Sequence, residues 1–222
     1  MQIDPAVDRA ILRAVGHSLP ATRQERESVT SLNIRNAEKI SCMGLFPSLQ
    51  RLIITGCDPV SVEQFSMLEG LRTLTLEDSG FSDLSGIESL PLLSVSFPRN
   101  CVKDLRSLLG IPHLLQVDVT GNPLSDHSFH QIIPALRESG CRVTASEELE
   151  WKLTVRLHSA GVRISCYRDP QGQGYKLFRP GLGLTDAPQY AHPLVSAGDI
   201  RALLTGDPSA AHRYFDGEPR LV

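Results

Sequence analysis

One spacing governs this chain: apolar, two arbitrary residues, apolar, one arbitrary residue, apolar. It occurs at Val29-Leu32-Ile34, Leu49-Leu52-Ile54, Leu71-Leu74-Leu76, Leu92-Val95-Phe97 and Leu114-Val117-Val119, with starts 20, 22, 21 and 22 residues apart. Its last three positions alternate inward and outward, the period of a strand. A rhythm of three follows, in Phe81-Leu84-Ile87-Leu90 and again in Val102-Leu105-Leu108-Ile111. That is the period of a 3₁₀ turn, whose side chains eclipse every third residue. No single helix or strand has both periods. A coil made of one short strand and one short turn has both, and it buries its apolar side only against the next coil.

Eight residues after each start stand Ala37, Cys57, Ser79, Asn100 and Asn122. An Asn at such a corner can bond backbone groups of the adjacent coil that the bend would otherwise leave unpaired. Cys57 and Ser79 are weaker substitutes, and Ala37 cannot do this at all, as befits an atypical first coil. On these residues, the stretch 29–145 resembles the leucine-rich repeat family, in its roughly 22-residue bacterial and phosphatase-regulator-like subclass. The resemblance implies an α/β fold: a right-handed solenoid with a parallel concave sheet and short 3₁₀ or helical segments on the convex side. It also implies a function of binding other proteins on a rigid curved surface.

A solenoid needs covered ends. Residues 1–28 are the expected N-terminal helical cap: Asp4-Pro5 starts a helix with Val7, Ile11, Leu12 and Val15 as its apolar stripe, ending near Gly16, and a loop follows. After the fifth coil, Phe129, Ile132, Ile133 and Leu136 mark a helical run that Gly140 ends, with Cys141–Thr144 as a last strand. The repeat region is thus 29–146, and 147–222 is expected to be a small α+β extension. There, Leu149, Trp151, Leu153, Val155 and Leu157 alternate and predict a strand. Val162, Ile164 and Cys166 predict a second strand, and Tyr175–Phe178 a third across the turn DPQGQG. Ser196 and Asp199 resemble a capping box opening a helix with Ile200, Leu203 and Leu204. Asp207-Pro208 opens a last short helix with Tyr214 and Phe215.

The formal net charge of −3 points to neither nucleic acid nor an anionic membrane surface as partner. No apolar run is long enough to span a bilayer, and the first residues lack a basic segment followed by an apolar one, so the cytoplasm is the expected compartment. Arginine outnumbers lysine 18 to 4, a usage expected of a GC-rich bacterial source. The five cysteines share no CxxC spacing, so reduced thiols are expected, with neither zinc nor any cofactor.

Alternation predicts the outward side chains of the sheet. They are Ser31, Arg51, Thr73, Ser94 and Gln116 in one column, and Asn33, Ile53, Thr75, Ser96 and Asp118 in a second. The third holds Arg35, Thr55, Glu77, Pro98 and Thr120. This face is the expected partner-binding surface, with Arg35, Arg51 and Ile53 as anchors, although small polar residues also merely solubilise a sheet. A second surface is expected at the hairpin end with Tyr167, Arg168, Tyr175 and Arg179, beside Asp169 and Lys176. Asp126, His127 and His130 have a metal-like spacing but read more simply as exposed residues around Phe129. The Gly181–Leu184 stretch GLGL lacks the setting of a phosphate loop. No nucleophile motif is present. The expected function is therefore a non-enzymatic protein-binding module, with a bacterial immunity or antitoxin protein that blocks a toxin as its sharper form. The alternative is a catalytic or ligand-binding extension to which the repeats deliver substrate.

Overall fold

The computed structural model describes residues 3–57, 60–169, 171–179 and 192–215. Strands β1 (Ser31–Arg35), β2 (Arg51–Thr55), β3 (Thr73–Glu77), β4 (Ser94–Ser96), β5 (Gln116–Asp118) and β6 (Arg142–Thr144) form one sheet in chain order, each neighbouring pair parallel. Leu32, Leu52, Leu74, Val95, Val117 and Val143 lie one beside the next in register. Between strands the chain returns through 3₁₀ turns at Met43–Leu45, Val62–Phe65, Ile87–Ser89 and Arg106–Gly110. The side chains spaced by three, from Phe81 to Leu90 and from Val102 to Ile111, are buried against the inward face of the strands. This is the α/β architecture of the leucine-rich repeat type.

Two adjacent positions turn each coil. The residue seven after the start is left-handed in all five: Asn36, Gly56, Asp78, Arg99 and Gly121 have φ of 54, 65, 54, 56 and 71°. Gly, Asn and Asp tolerate this conformation, whereas an arginine there is strained. The next residue stitches the coils together. Asn100 accepts from Ser79 N and Phe81 N at 2.9 and 3.2 Å, and donates to Leu76 O and Pro98 O at 2.7 and 3.0 Å. Asn122 repeats the pattern one coil on, accepting from Val102 N and donating to Phe97 O and Val119 O. Ser79 manages one bond from Cys57 N and one to Glu77 O, and Cys57 Sγ accepts from Ala37 N at 3.2 Å. The ladder therefore weakens towards the first coil, in step with the corner side chains.

Helix α1 (Pro5–Val15) packs on β1. Asp4 caps it by accepting from Ala6 N, and also accepts from Glu38 N and Lys39 N, so one carboxylate joins the helix to the first coil. Desolvation opposes its charge, yet these N–H groups hold it below the usual carboxylate range. One stripe residue departs from expectation. Leu12 is 43% exposed, because Ala6, Val7, Ala10 and Ile11 make the face that meets β1. The expected loop also contains a helix, α2 (Arg23–Ser28), built on a Thr22/Glu25 capping box with no buried residue. A capping signature without an apolar stripe was insufficient to reveal it.

Past β5, a π turn over Ser128–Ile132 runs into α3 (Ile133–Glu138), where Pro134 supplies no N–H. Leu149–Leu157 is not a strand but lies in helix α4 (Glu148–Ser159). Trp151 and Val155, four apart, face the repeat core, while Leu149, Leu153 and Leu157, also four apart, face a second core. Two such stripes offset by two residues sit on opposite sides of a helix and read in sequence as strict alternation. The second core is closed by the antiparallel sheet β7 (Ser165–Arg168), β8 (Tyr175–Phe178) and β9 (Leu194–Val195), by α5 (Ala197–Thr205), and by a 3₁₀ helix over Pro208–Phe215. Val162 and Ile164 lie before β7 rather than in it, so Cys166 alone of the expected trio is in the strand. Ser196 and Asp199 do form the expected capping box.

Candidate functional site

Helix α4 is the wall between the two cores, and its first turn anchors the join. Trp151 donates from Nε1 to Leu124 O at 2.9 Å and stacks on Phe129 with ring centroids 4.0 Å apart. With α4 so placed, β7 stands beside the C-terminal ends of β3, β4 and β5, and a cleft of about 470 Å³ opens between them. Thr75, Glu77, Ser96, Pro98, Asp118 and Thr120 form its sheet side. Glu147, Glu150, Tyr167 and Arg168 form its extension side, and Arg99 lies between.

Arg99 organises this space. Its Nε donates to Asp78 Oδ1 at 2.6 Å, and its Nη2 reaches Asp78 Oδ2 at 3.3 Å and pairs closely with Glu77. Its guanidinium lies 5.1 Å from the Tyr167 ring centre and 5.9 Å from that of Phe178. Desolvation raises the Asp78 carboxyl above its ordinary range and weakens the hold of Arg99 on its proton. The contact between them opposes both shifts and keeps both charged. Gly121, one coil on, leaves room for the arginine stem: a Cβ there would stand 3.1 Å from Arg99 Cγ. Behind Tyr167, its hydroxyl lies 2.6 Å from His192 Nδ1. Burial raises the phenol to about 12 and lowers the imidazole to about 3, so both are neutral around pH 7.

Glu150 forms the other charged part of the lining. It is 2% exposed. Its Oε1 accepts from Glu147 N at 3.0 Å, completing the cap of α4, while its Oε2 is buried without a hydrogen-bond partner among the described residues. Glu147 in turn pairs with Arg168. Asp118 accepts from Thr120 N and Oγ1 at 3.0 and 2.8 Å.

No protein-family model matches the chain, and no curated protein matches it. Among solved structures, the chain is similar to internalin C2 of Listeria monocytogenes str. 4b F2365. The identity is 17% and the TM-score 0.38, over 65% of this chain and 87% of that one. It is also similar to an internalin F of the same strain, at 17% identity and a TM-score of 0.35, over 64% of this chain and 56% of that one. A likeness at that level carries nothing about what this chain binds.

Two outward columns lie in the expected register throughout; the third pairs only as Arg35-Thr55-Glu77, because β4 and β5 end before Pro98 and Thr120, and Pro98 is buried rather than outward. Ser31, Arg51, Thr73, Ser94 and Gln116 pair in sequence across the sheet, as do Asn33, Ile53, Thr75, Ser96 and Asp118. Arg35, Arg51 and Gln116 are exposed, and Ile53, Thr73, Thr75, Glu77, Ser94, Ser96 and Asp118 are half-buried. Thr55 is a correction: at 9% exposure it is buried, a short side chain flanked by Arg35 and Glu77 in the neighbouring strands. The hairpin residues do not share one place. Tyr167 is buried rather than a surface residue, covered by Arg99 and His192, and Arg168 lines the cleft. Tyr175 lies under the Arg168 guanidinium, Arg179 stacks over Phe215, and Asp169 pairs with Lys176 at 3.0 Å. The Gly181–Leu184 stretch lies outside the described residues.

His127 and His130 are exposed, the latter edge-on to Trp151, and no group of three potential metal ligands occurs among the described residues. The cysteines are free thiols; burial pushes those of Cys57, Cys141 and Cys166 up, away from reactivity. No helix among the described residues is long and apolar enough to cross a membrane.

Sequence reasoning missed Arg99, Asp78 and Glu150. A signal for the first two existed in the column Asn36, Gly56, Asp78, Arg99, Gly121, where one arginine stands among residues that favour left-handed turns. Glu150 gave none, being hidden in a segment read as a strand.

Proposed function

We propose that this chain is a non-enzymatic protein-binding module of the cytoplasm. In this reading it is a right-handed leucine-rich repeat solenoid of the bacterial, phosphatase-regulator-like subclass. Residues 1–28 cap its first coil, 29–146 form the repeats, and 147–222 form an extension that closes the other end and adds a wall to the binding face. The partner class we propose is a toxin domain, held as an immunity or antitoxin protein holds its target, because covering an active site requires a stiff surface and no chemistry.

One observation carries the reading. The outward columns are aligned on a ribbon backed by a continuous apolar core, and the cleft continues them onto the extension. Such a surface loses little entropy when it is gripped. The four hairpin groups whose convergence would favour a catalytic extension, Tyr167, Asp169, Tyr175 and Arg179, are engaged in separate contacts.

The test is affinity capture from the native cell with the full chain, comparing wild type with Arg51→Glu and Ile53→Asp. A partner retained by wild type and lost by both supports the reading. A partner retained by all three moves binding away from the ribbon face. If that partner is a toxin, the chain should inhibit it, and failure to inhibit ends the immunity assignment.

A further inference from the structure

The cleft has an unbalanced charge. Four carboxylates, Glu77, Asp118, Glu147 and Glu150, line it against two guanidiniums, Arg99 and Arg168. Arg99 is shared by Glu77 and by Asp78 beneath it, and Arg168 is taken by Glu147. Asp118 lies in the field of the shared Arg99 without an ion pair of its own, and Glu150 has no ion pair among the described residues. Glu150 is the telling one, since its Oε2 combines burial with the lack of any donor. A buried carboxylate oxygen in that state costs free energy that an arriving N–H group recovers.

Resting on the protein-binding reading above, we propose that the cleft receives one basic side chain of the partner, with Glu150 and Asp118 as its counter-charges. The cleft opens onto the Thr75-Ser96-Asp118 column, so a partner lying along the ribbon can place a guanidinium or ammonium there without leaving the face. Arg99, locked between Asp78, Glu77 and Tyr167, sets the far wall and does not swing in to neutralise Glu150. The site thus selects for positive charge in a chain whose other proposed anchors, Arg35 and Arg51, select for negative charge or hydrogen-bond acceptors. That polarity would orient the partner along the sheet.

The test needs no partner. Nα-acetyl-arginine N-methylamide is titrated into the ¹⁵N-labelled full chain while amide shifts are followed, with the citrulline counterpart as the neutral isostere. The expected result is saturable shifts confined to Asp118, Thr120, Thr144, Glu147 and Arg168 with arginine and not with citrulline. Glu150→Gln keeps an acceptor for the Glu147 N–H and so leaves the α4 cap intact. It should weaken arginine binding about tenfold, and Asp118→Asn should weaken it by a similar factor. Absence of saturable shifts, equal shifts with citrulline, or undiminished binding by Glu150→Gln overturns the proposal. Agmatine binding with exclusion of the blocked arginine also overturns it, in favour of a free small cation. Loss of partner capture by Arg51→Glu and Ile53→Asp reports on the ribbon face and is unaffected by any of these outcomes.

Discussion

Asp78 and Arg99 occupy the same left-handed position in successive coils, and their side chains form an ion pair at 2.6 Å with 4% and 16% of their side-chain surface exposed. The bond joins two coils at the point where each is conformationally least free, and Tyr167 of the extension lies against the other face of the guanidinium. Three parts of the molecule therefore depend on one arginine.

Removing that arginine should cost more than its strain returns. Arg99→Gly relaxes the left-handed turn but leaves Asp78 buried and uncompensated, an expected loss of about 3 kcal/mol. The double variant Asp78→Gly with Arg99→Gly removes both charges and suits both turns, so it should recover most of that loss. A double-mutant cycle by urea denaturation checks this; additive losses would show the pair to be incidental.

The asparagine ladder makes a graded prediction. Asn100→Ala strands two N–H groups and two carbonyls inside the stack, for an expected loss of about 2–4 kcal/mol. Asn100→Ser should lose about half as much, because Ser79 shows that a hydroxyl serves part of the role. Ser79→Asn is expected to be neutral or stabilising. The denaturant midpoints of the three variants give the ranking.

Trp151 is the chain's one tryptophan, and its fluorescence reports directly on the join between repeats and extension. Trp151→Phe keeps a ring over Phe129 but loses the bond to Leu124 O, at roughly 1–2 kcal/mol. Trp151→Ala should cost roughly 3–5 kcal/mol and expose the extension to limited proteolysis before the repeats. Equal protease resistance of both variants and wild type would contradict a join made through this side chain.

Two histidines predict acid sensitivity. Burial lowers His158 to about 4 and His192 to about 3, against 6.5 when unfolded. Between those values the unfolded chain binds protons that the folded chain does not, so stability is lost as pH falls below 6.5 and the loss is complete below the folded values. From about pH 7.5 to about pH 5, each should account for roughly 2 kcal/mol of destabilisation. Chemical denaturation of His158→Gln at both pH values should show a loss smaller than that of wild type by about that amount; an identical pH dependence would refute it.

The stack of coils was legible because each coil is defined by local spacing repeated five times. The side of a residue in a strand or 3₁₀ turn depends only on its distance along the chain, so Leu52, Leu74 and Val95 could be placed in register from the sequence. The corner hydrogen bonds followed for the same reason. The extension was not legible, because α4 serves two cores at once. Its side-chain pattern was decided by what lies on either side of it, and that is a property of tertiary packing. The cleft exists only because Trp151 fixes α4 against Phe129 and brings β7 beside Arg99. Residues 77, 99, 118, 150 and 167 meet there across long stretches of chain, a proximity that no local period encodes.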